Sequence, residues 1–500
     1  MRRSPVLESI VSNVFVLAGV LFVLGAYLLH TGEGTIKPNP FFKPAIWILY
    51  AGIVALAFAC VYLTPYHTLH QILRANGGFF LALFLVIILA LIALYYTKES
   101  KESFRLIRRF LLEPSLFLVA VCLYVSMLNK KAKTIFLSAF CAVFLLHPIL
   151  TSLDFFTTAI SYAQKGLNPI FILGTYRAMP HLFFEASTGY AFFLIIALSI
   201  AIALFIATPY KKSCALVVAL SLIACVLSGT RFLYVAMCVI CLAPLVLLKY
   251  RYKAATIAIS MAILVVFCVL LYHISANFSA RFNMQNMVQN ITQVLQLHPA
   301  AMGRFDKQCT SLNRCMKSSF PKDSHIQWEH SSLSRIAMSK STVLAILDNP
   351  LRPNGFGLTL FGKNIVRIFG QDSEALPYFI SIQPDGSILP YYWTNHNGIL
   401  YLWFELGAIG FGLVVWLHLW LLLKARKIYY DTSTSPILRA FMLTIALMLI
   451  GLSVANFFDA LPNRAGQNIL FMFFGIFLAF VADKATKDKT ESKTIRHSDV

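Results

Sequence analysis

The sequence predicts an all-α polytopic membrane protein of about twelve transmembrane helices with one large, partly helical external loop. Three observations carry that prediction. Of 500 residues, 58% are hydrophobic and 13% charged, and mean hydropathy is +0.72; a soluble domain is about a quarter charged and under half apolar. Apolar runs of span length recur along the chain. The 42 Lys+Arg outnumber the 21 Asp+Glu, a net charge of +21, and much of that excess lies in short connections between apolar runs. Together these exclude a soluble enzyme, a disordered chain and a nucleic-acid-binding domain, whose basic residues would have to lie on a wet surface. The 42 Phe and 21 Tyr suit lipid-facing surfaces and interfacial belts.

A helical span needs roughly 20 mostly apolar residues. Candidates lie at about 10–30, 45–64, 78–97, 110–128, 134–151, 186–208, 212–229, 231–248, 254–274, 398–423, 438–459 and 468–482. The first run is long and lacks a small-residue cleavage site, so it reads as a span and not a signal peptide. The expected organisation is helices 1–9 over 1–274, a large loop domain over 275–397, helices 10–12 over 398–482, and a charged tail over 483–500.

Short basic loops favour the cytoplasm. Arg2 and Arg3, Lys130, Lys131 and Lys133, Lys211 and Lys212, Lys249, Arg251 and Lys253, Lys424, Arg426 and Lys427, and the tail all read as inside. Both termini are then cytoplasmic. The segment 98–109, with five basic residues, comes out external against this bias. Either the early spans are miscounted or those charges face an anionic surface outside. Between the basic clusters that flank 212–248 the chain must cross twice, and the only break is Ser228-Gly229-Thr230-Arg231, a tight external hairpin of turn-forming residues.

Two external segments are long, 151–185 and 275–397. The second far exceeds a connector, so it should fold. Within Arg335–Asp348, Ile336, Val343, Leu344 and Leu347 share one helical face, and Asn349-Pro350 ends that helix. Cys309 and Cys315 are the only two of ten cysteines outside expected spans, and a local disulfide between them is possible in an oxidising compartment.

His396 stands just before the tenth span, an imidazole at the outer interface and a candidate for proton transfer; its plainer role is to hydrogen-bond its neighbours. Arg231 at the hairpin is a diphosphate ligand or a snorkelling charge. Arg177, before the sixth span, and Arg335, at the start of the loop helix, are surface residues or further ligands. Three external guanidiniums near the membrane suit a diphosphate through charge-assisted, bidentate bonds. Asp154, Glu185, Glu405 and Asp459 are carboxylates within or beside spans, which serve packing, pairing or proton relay. His67 and His70 fall in a cytoplasmic loop without a third ligand. HExxH, DxD, paired CxxC and P-loop patterns do not occur. Neither a metal nor another cofactor is expected.

Three external elements occur in a telling order. LSGTRFLYVAM (227–237) resembles the SxTR hairpin that opens the O-antigen ligase/polymerase family module. SRIAMSKSTVLAILDNPLRPNGFG (334–357) resembles that module's external helix, with Gly355 and Gly357 as its glycines. NHNGILYLWFELGAIGFGLVVWL (395–417) resembles the HNxxLxxxxExGxxG opening of the next span. The resemblance covers about 190 residues, from the seventh span through the tenth.

The resemblance implies a GT-C-like fold and a metal-independent glycosyltransferase on the periplasmic face of the bacterial inner membrane. Such proteins take a glycan from undecaprenyl diphosphate and join it to an acceptor. Carried over, His396 is the base, Arg231 and Arg335 bind the diphosphate, and Arg177 is a looser correspondence. Asn397, His181 and Glu405 are supporting positions. Expected partners are the lipid-linked donor, a lipid A core acceptor and the bilayer, with no nucleic acid.

Within the family an O-antigen ligase is favoured by the large loop between the ninth and tenth spans. A chain polymerase is kept open by the 151–185 loop. A protein O-oligosaccharyltransferase is disfavoured by the short tail after 482. A lipid-linked glycan flippase, the reading from another class, would concentrate its charge in a central cavity and not at one external face.

Overall fold

The computed structural model describes residues 65–97, 100–167, 187–249, 253–274, 349–356, 396–458 and 464–498, with shorter pieces elsewhere, among them 176, 178–179 and parts of 339–347. These residues form an α-helical membrane bundle. The helices are α1 (Tyr66–Ile92), α2 (Ser100–Ile107), α3 (Glu113–Met127), α4 (Lys130–Gln164), α5 (Ser187–Ala207), α6 (Lys211–Leu227), α7 (Arg231–Leu247), α8 (Lys253–Ile274), α9 (Gly398–Tyr429), α10 (Pro436–Phe458) and α11 (Arg464–Ser498). Ten of the twelve expected spans fall on these helices. The first two, 10–30 and 45–64, lie outside the described residues apart from isolated positions. By length and composition, seven helical stretches among the described residues can cross a membrane.

The core lies where α4, α5, α10 and α11 meet. Residues 190–201 of α5 are buried on every side, as expected of a helix apolar all round. Phe140, Phe144, Phe193, Phe441 and Phe473 form an aromatic seam across these four helices, with Phe140 and Phe473 4.7 Å apart edge to face. Asn76 on α1 donates to the Leu478 carbonyl of α11 at 3.1 Å, a polar tie inside the bundle. Leu81, Phe84, Leu116, Phe156 and Ile160 are exposed; on a membrane protein that surface meets lipid.

Several segments differ from the sequence reading. The described part of the 98–109 segment is helical: α2 runs over Ser100–Ile107, and a π-helical turn, Arg108–Leu112, joins it to α3. The span expected at 134–151 is a 35-residue helix, about 52 Å long, which outruns a ~30 Å hydrocarbon core. Its last fourteen residues, 151–164, nearly four turns, occupy the segment read as external loop. His67 and His70 sit in the first turns of α1. A two-stranded antiparallel ribbon, Ile380–Ile382 with Ile388–Pro390, adds strand to a loop expected to be helical. In the loop helix the buried residues are Thr342, Ala345 and Ile346, while Val343 and Leu347 of the expected apolar face are exposed.

The bundle has two chemically distinct ends. At one, Lys133 pairs with Asp483, Lys484 pairs with Asp431, and the Lys249 amide donates to the Tyr430 hydroxyl at 2.8 Å. Lys484 and the Ser433 amide hold the Asp431 carboxyl down to about 2. These residues are the loops read as basic and inside. Helix direction then sets the other end: α4 leads away from Lys133, α7 ends at Leu247 and α9 at Tyr429, so Asp154, Arg231 and Gly398 all stand opposite.

At that opposite end α9 is broken. Gly407 has φ 68° and ψ 174°, outside the helical region. The break separates the Ala408 amide from the Phe404 carbonyl, which an unbroken helix would join. Segment 349–356 satisfies both. The Pro350 carbonyl accepts from the Ala408 amide at 2.9 Å and from Trp403 Nε1 at 3.1 Å. The Phe404 carbonyl accepts from the Asn354 amide and from Asn354 Nδ2, each at 3.2 Å. A Cβ on Gly407 would lie 2.3 Å from the Leu351 carbonyl oxygen. Gly407→Ala therefore meets strain and a backbone clash together. It is expected to cost roughly 2–3 kcal/mol or more, read as a lowered thermal midpoint of the purified protein. A wild-type midpoint would show that the segment is not locked against the break.

Candidate functional site

His396 and Asn397 enter α9 as a unit. Asn397 Oδ1 accepts from the Leu400 amide at 3.0 Å, an N-cap that explains why Asn precedes Gly398 at the helix start. His396, at φ 53°, is the one non-glycine residue with positive φ among the described residues. Asn and His tolerate this region better than most residues, but it remains an uncommon conformation. An outlier one residue ahead of a cap points to a side chain held in a set direction. His396 is partly exposed and Asn397 is buried. Two turns on, Glu405 is 2% exposed, within the bundle and not at its surface. Tyr401, also buried, precedes it by four residues on the same face.

Arg231 opens α7 directly after the hairpin. Ser228 Oγ donates to the Cys225 carbonyl at 2.9 Å, Gly229 turns the chain at φ 61°, and Tyr234 donates to the Val226 carbonyl at 3.0 Å. The turn is thus braced from both of its helices, which places a partly exposed guanidinium at a fixed point of the bundle's end. α10 packs against both α7 and α9, so the helices led by Arg231 and by the His396-Asn397 cap flank a common neighbour.

A third segment joins the hairpin. Asp154 on the outrunning end of α4 accepts from the Tyr176 hydroxyl at 2.8 Å and from the Met179 amide at 2.9 Å. The Ala178 amide donates to the Leu227 carbonyl at 3.1 Å, just before the turn. Burial, with the neighbouring Asp154 carboxylate, pushes the Tyr176 phenol up to about 12, so it stays a donor. Of the intramembrane carboxylates singled out in the sequence, Asp154 thus has a defined structural role.

The structure brings His396, Asn397 and Arg231 to one end of the bundle. Arg177, Arg335, His181, Cys309, Cys315, Glu185 and Asp459 lie outside the described residues. The six described cysteines are free thiols. Sequence reasoning did not single out Asn354 or Ser103, and it carried Gly407 only as the first glycine of the ExGxxG pattern, two residues past Glu405. Ser103 Oγ donates to the Phe356 carbonyl at 2.6 Å and carried no such signal.

These features define a multi-pass α-helical membrane protein with its candidate chemistry gathered at one end. Residues 216–415 match the family model described as O-antigen ligase. The match begins inside α6, ends inside α9, and encloses the hairpin, the segment 349–356 and the broken helix. The family indicates glycan transfer of the ligase or polymerase type. No curated protein matches the chain.

The Asp154 brace has a direct readout. Asp154→Ala removes the acceptor of two hydrogen bonds, and each is worth about 1 kcal/mol net. Hydrogen exchange at 176–179 is expected to rise by about tenfold or more while exchange in α5 stays unchanged. Equal protection in the variant would show that other contacts hold the segment.

Proposed function

We propose that the protein is an O-antigen ligase that moves a glycan from undecaprenyl diphosphate to the lipid A core at the periplasmic face of the inner membrane. The observation that carries this reading is the common placement of a conformationally constrained His396 and a braced Arg231 at one end of the bundle, within the residues that match the O-antigen ligase family. On this reading the basic opposite end is cytoplasmic, and both termini are proposed to be cytoplasmic too.

The chemistry assigned to each residue follows from the reaction. An acceptor hydroxyl attacks the anomeric carbon, its O–H proton passes to the His396 imidazole, and the bond from carbon to the diphosphate oxygen breaks. Charge builds on the departing diphosphate, where a fixed cation counts most. Arg231 supplies a planar, permanently charged fork for it, and Arg335 and Arg177 are its proposed companions. Attack from the face opposite the leaving group inverts the anomeric centre. Glu405, buried a few residues past His396, supports the helix that presents it. The long isoprenoid stays in the bilayer while the sugar–diphosphate junction reaches the interface, so both groups belong at a helix end and not at mid-membrane.

Purified protein given undecaprenyl-diphosphate glycan and lipid A core in detergent is expected to form the glycosidic bond. His396→Ala should lower transfer by about a hundredfold or more. Arg231→Lys should lower it by at least about tenfold, because charge is kept and the fork is lost. Full transfer by folded His396→Ala would remove the base assignment. Transfer to a second lipid-linked repeat in place of the core would make the protein a polymerase, and movement of the lipid across a bilayer without bond formation would make it a flippase.

A further inference from the structure

The basic segment that ran against the charge bias now has a geometry. α2 buries Ser103, Leu106 and Ile107 against the protein. Lys101, Arg105 and Arg108 follow at spacings of four and three, and all three are exposed, which makes a single stripe on the opposite side. Phe104 lies beside them, 47% exposed. Glu102 pairs with Arg105 at 3.2 Å, the one acid among the described residues of the segment. Behind the stripe, Arg109 Nε is buried and has no hydrogen-bond partner among the described residues. The π-helical turn leads directly from here into the span α3, so the stripe lies at the membrane–water boundary.

Two contacts fix the side of the membrane. Ser103 donates to Phe356, and the Arg352 guanidinium lies 5.0 Å from the centre of the Tyr96 ring. Both partners belong to the segment that repairs the α9 break, so the stripe shares the end that carries His396.

We propose that Lys101, Arg105 and Arg108 form an interfacial clamp for the phosphate-bearing headgroups of anionic membrane lipids on the His396 side. The stripe extends about 10 Å from Lys101 to Arg108, too far for one small phosphate and well suited to a row of headgroups. An exposed Phe in the same stretch inserts among the acyl chains beneath them. Headgroup attraction then holds α2 in the interface, and through Ser103 it holds segment 349–356 at a fixed depth. The clamp stands independently of the transferase reading, because it requires only the membrane placement.

The test uses the full-length protein in nanodiscs, with native mass spectrometry of retained lipid. Each basic residue near an anionic surface is worth about fivefold. Lys101→Gln, Arg105→Gln and Arg108→Gln combined are therefore expected to lower the preference for phosphatidylglycerol over phosphatidylcholine on the order of a hundredfold. Arg105→Lys with Arg108→Lys should keep it, since the attraction is to point charge. An unchanged preference in the glutamine variant overturns the proposal. Should that variant fail to fold, raised salt on the wild type decides: the preference must fall steeply, and a flat response overturns the clamp. Displacement of phosphatidylglycerol by millimolar inorganic phosphate would reveal a discrete anion pocket instead and would likewise overturn it.

Discussion

The end of this bundle that carries His396 depends on one exchange of backbone partners. A helix broken inside a membrane leaves an amide and a carbonyl without partners, and hydrocarbon supplies none. Here the break at Gly407 strands the Ala408 amide and the Phe404 carbonyl, and residues Pro350 to Asn354 take both up. About fifty residues separate the two partners in sequence. The exchange therefore ties the far half of the large loop to the first two turns of α9, next to the Asn397 cap and His396. Without it neither segment has a complete set of hydrogen bonds at that depth.

Around this junction the same logic recurs with side chains. Ser103 brings α2 to Phe356, and Asp154 gathers the Tyr176 hydroxyl and the Met179 amide. Ala178 completes the chain of contacts at Leu227. The apolar seam at mid-membrane holds helices side by side, but it does not orient groups at their ends. Orientation there comes from short polar contacts between segments distant in sequence.

Much of the fold was legible because a membrane imposes a simple length rule. Ten expected spans met helices, and the basic clusters at Lys130, Lys249 and Lys424 mark one end as the charge bias required. What was not legible has a physical reason in each case. α4 outruns its apolar stretch because Asp154, Thr157 and Thr158 remain compatible with helix once past the hydrocarbon. α2 was hidden because a short amphipathic helix rich in Lys and Arg reads as a charged loop when only mean hydropathy is weighed. His396 and Arg231 were singled out by position and Asn397 through the motif resemblance, and all three stand at one end of the bundle. Asn354 and Ser103 could not be found in this way, since their importance lies in a partner carbonyl, which any residue type can offer.

The charge distribution then takes on a functional shape. If the +21 served orientation alone, the end that bears His396 would be poor in cations. Instead Arg231, Arg352 and the stripe of α2 stand there, on elements that other contacts hold in place. A permanently charged group is tolerated near hydrocarbon when it meets opposite charge or water, and nearby acids among the described residues are few, with Glu102 the one that pairs in α2. Phosphate groups of lipid or ligand are one source of such opposite charge. A diphosphate at Arg231 and lipid phosphates along α2 would be two instances of that one requirement, met at the centre and at the rim of the same face.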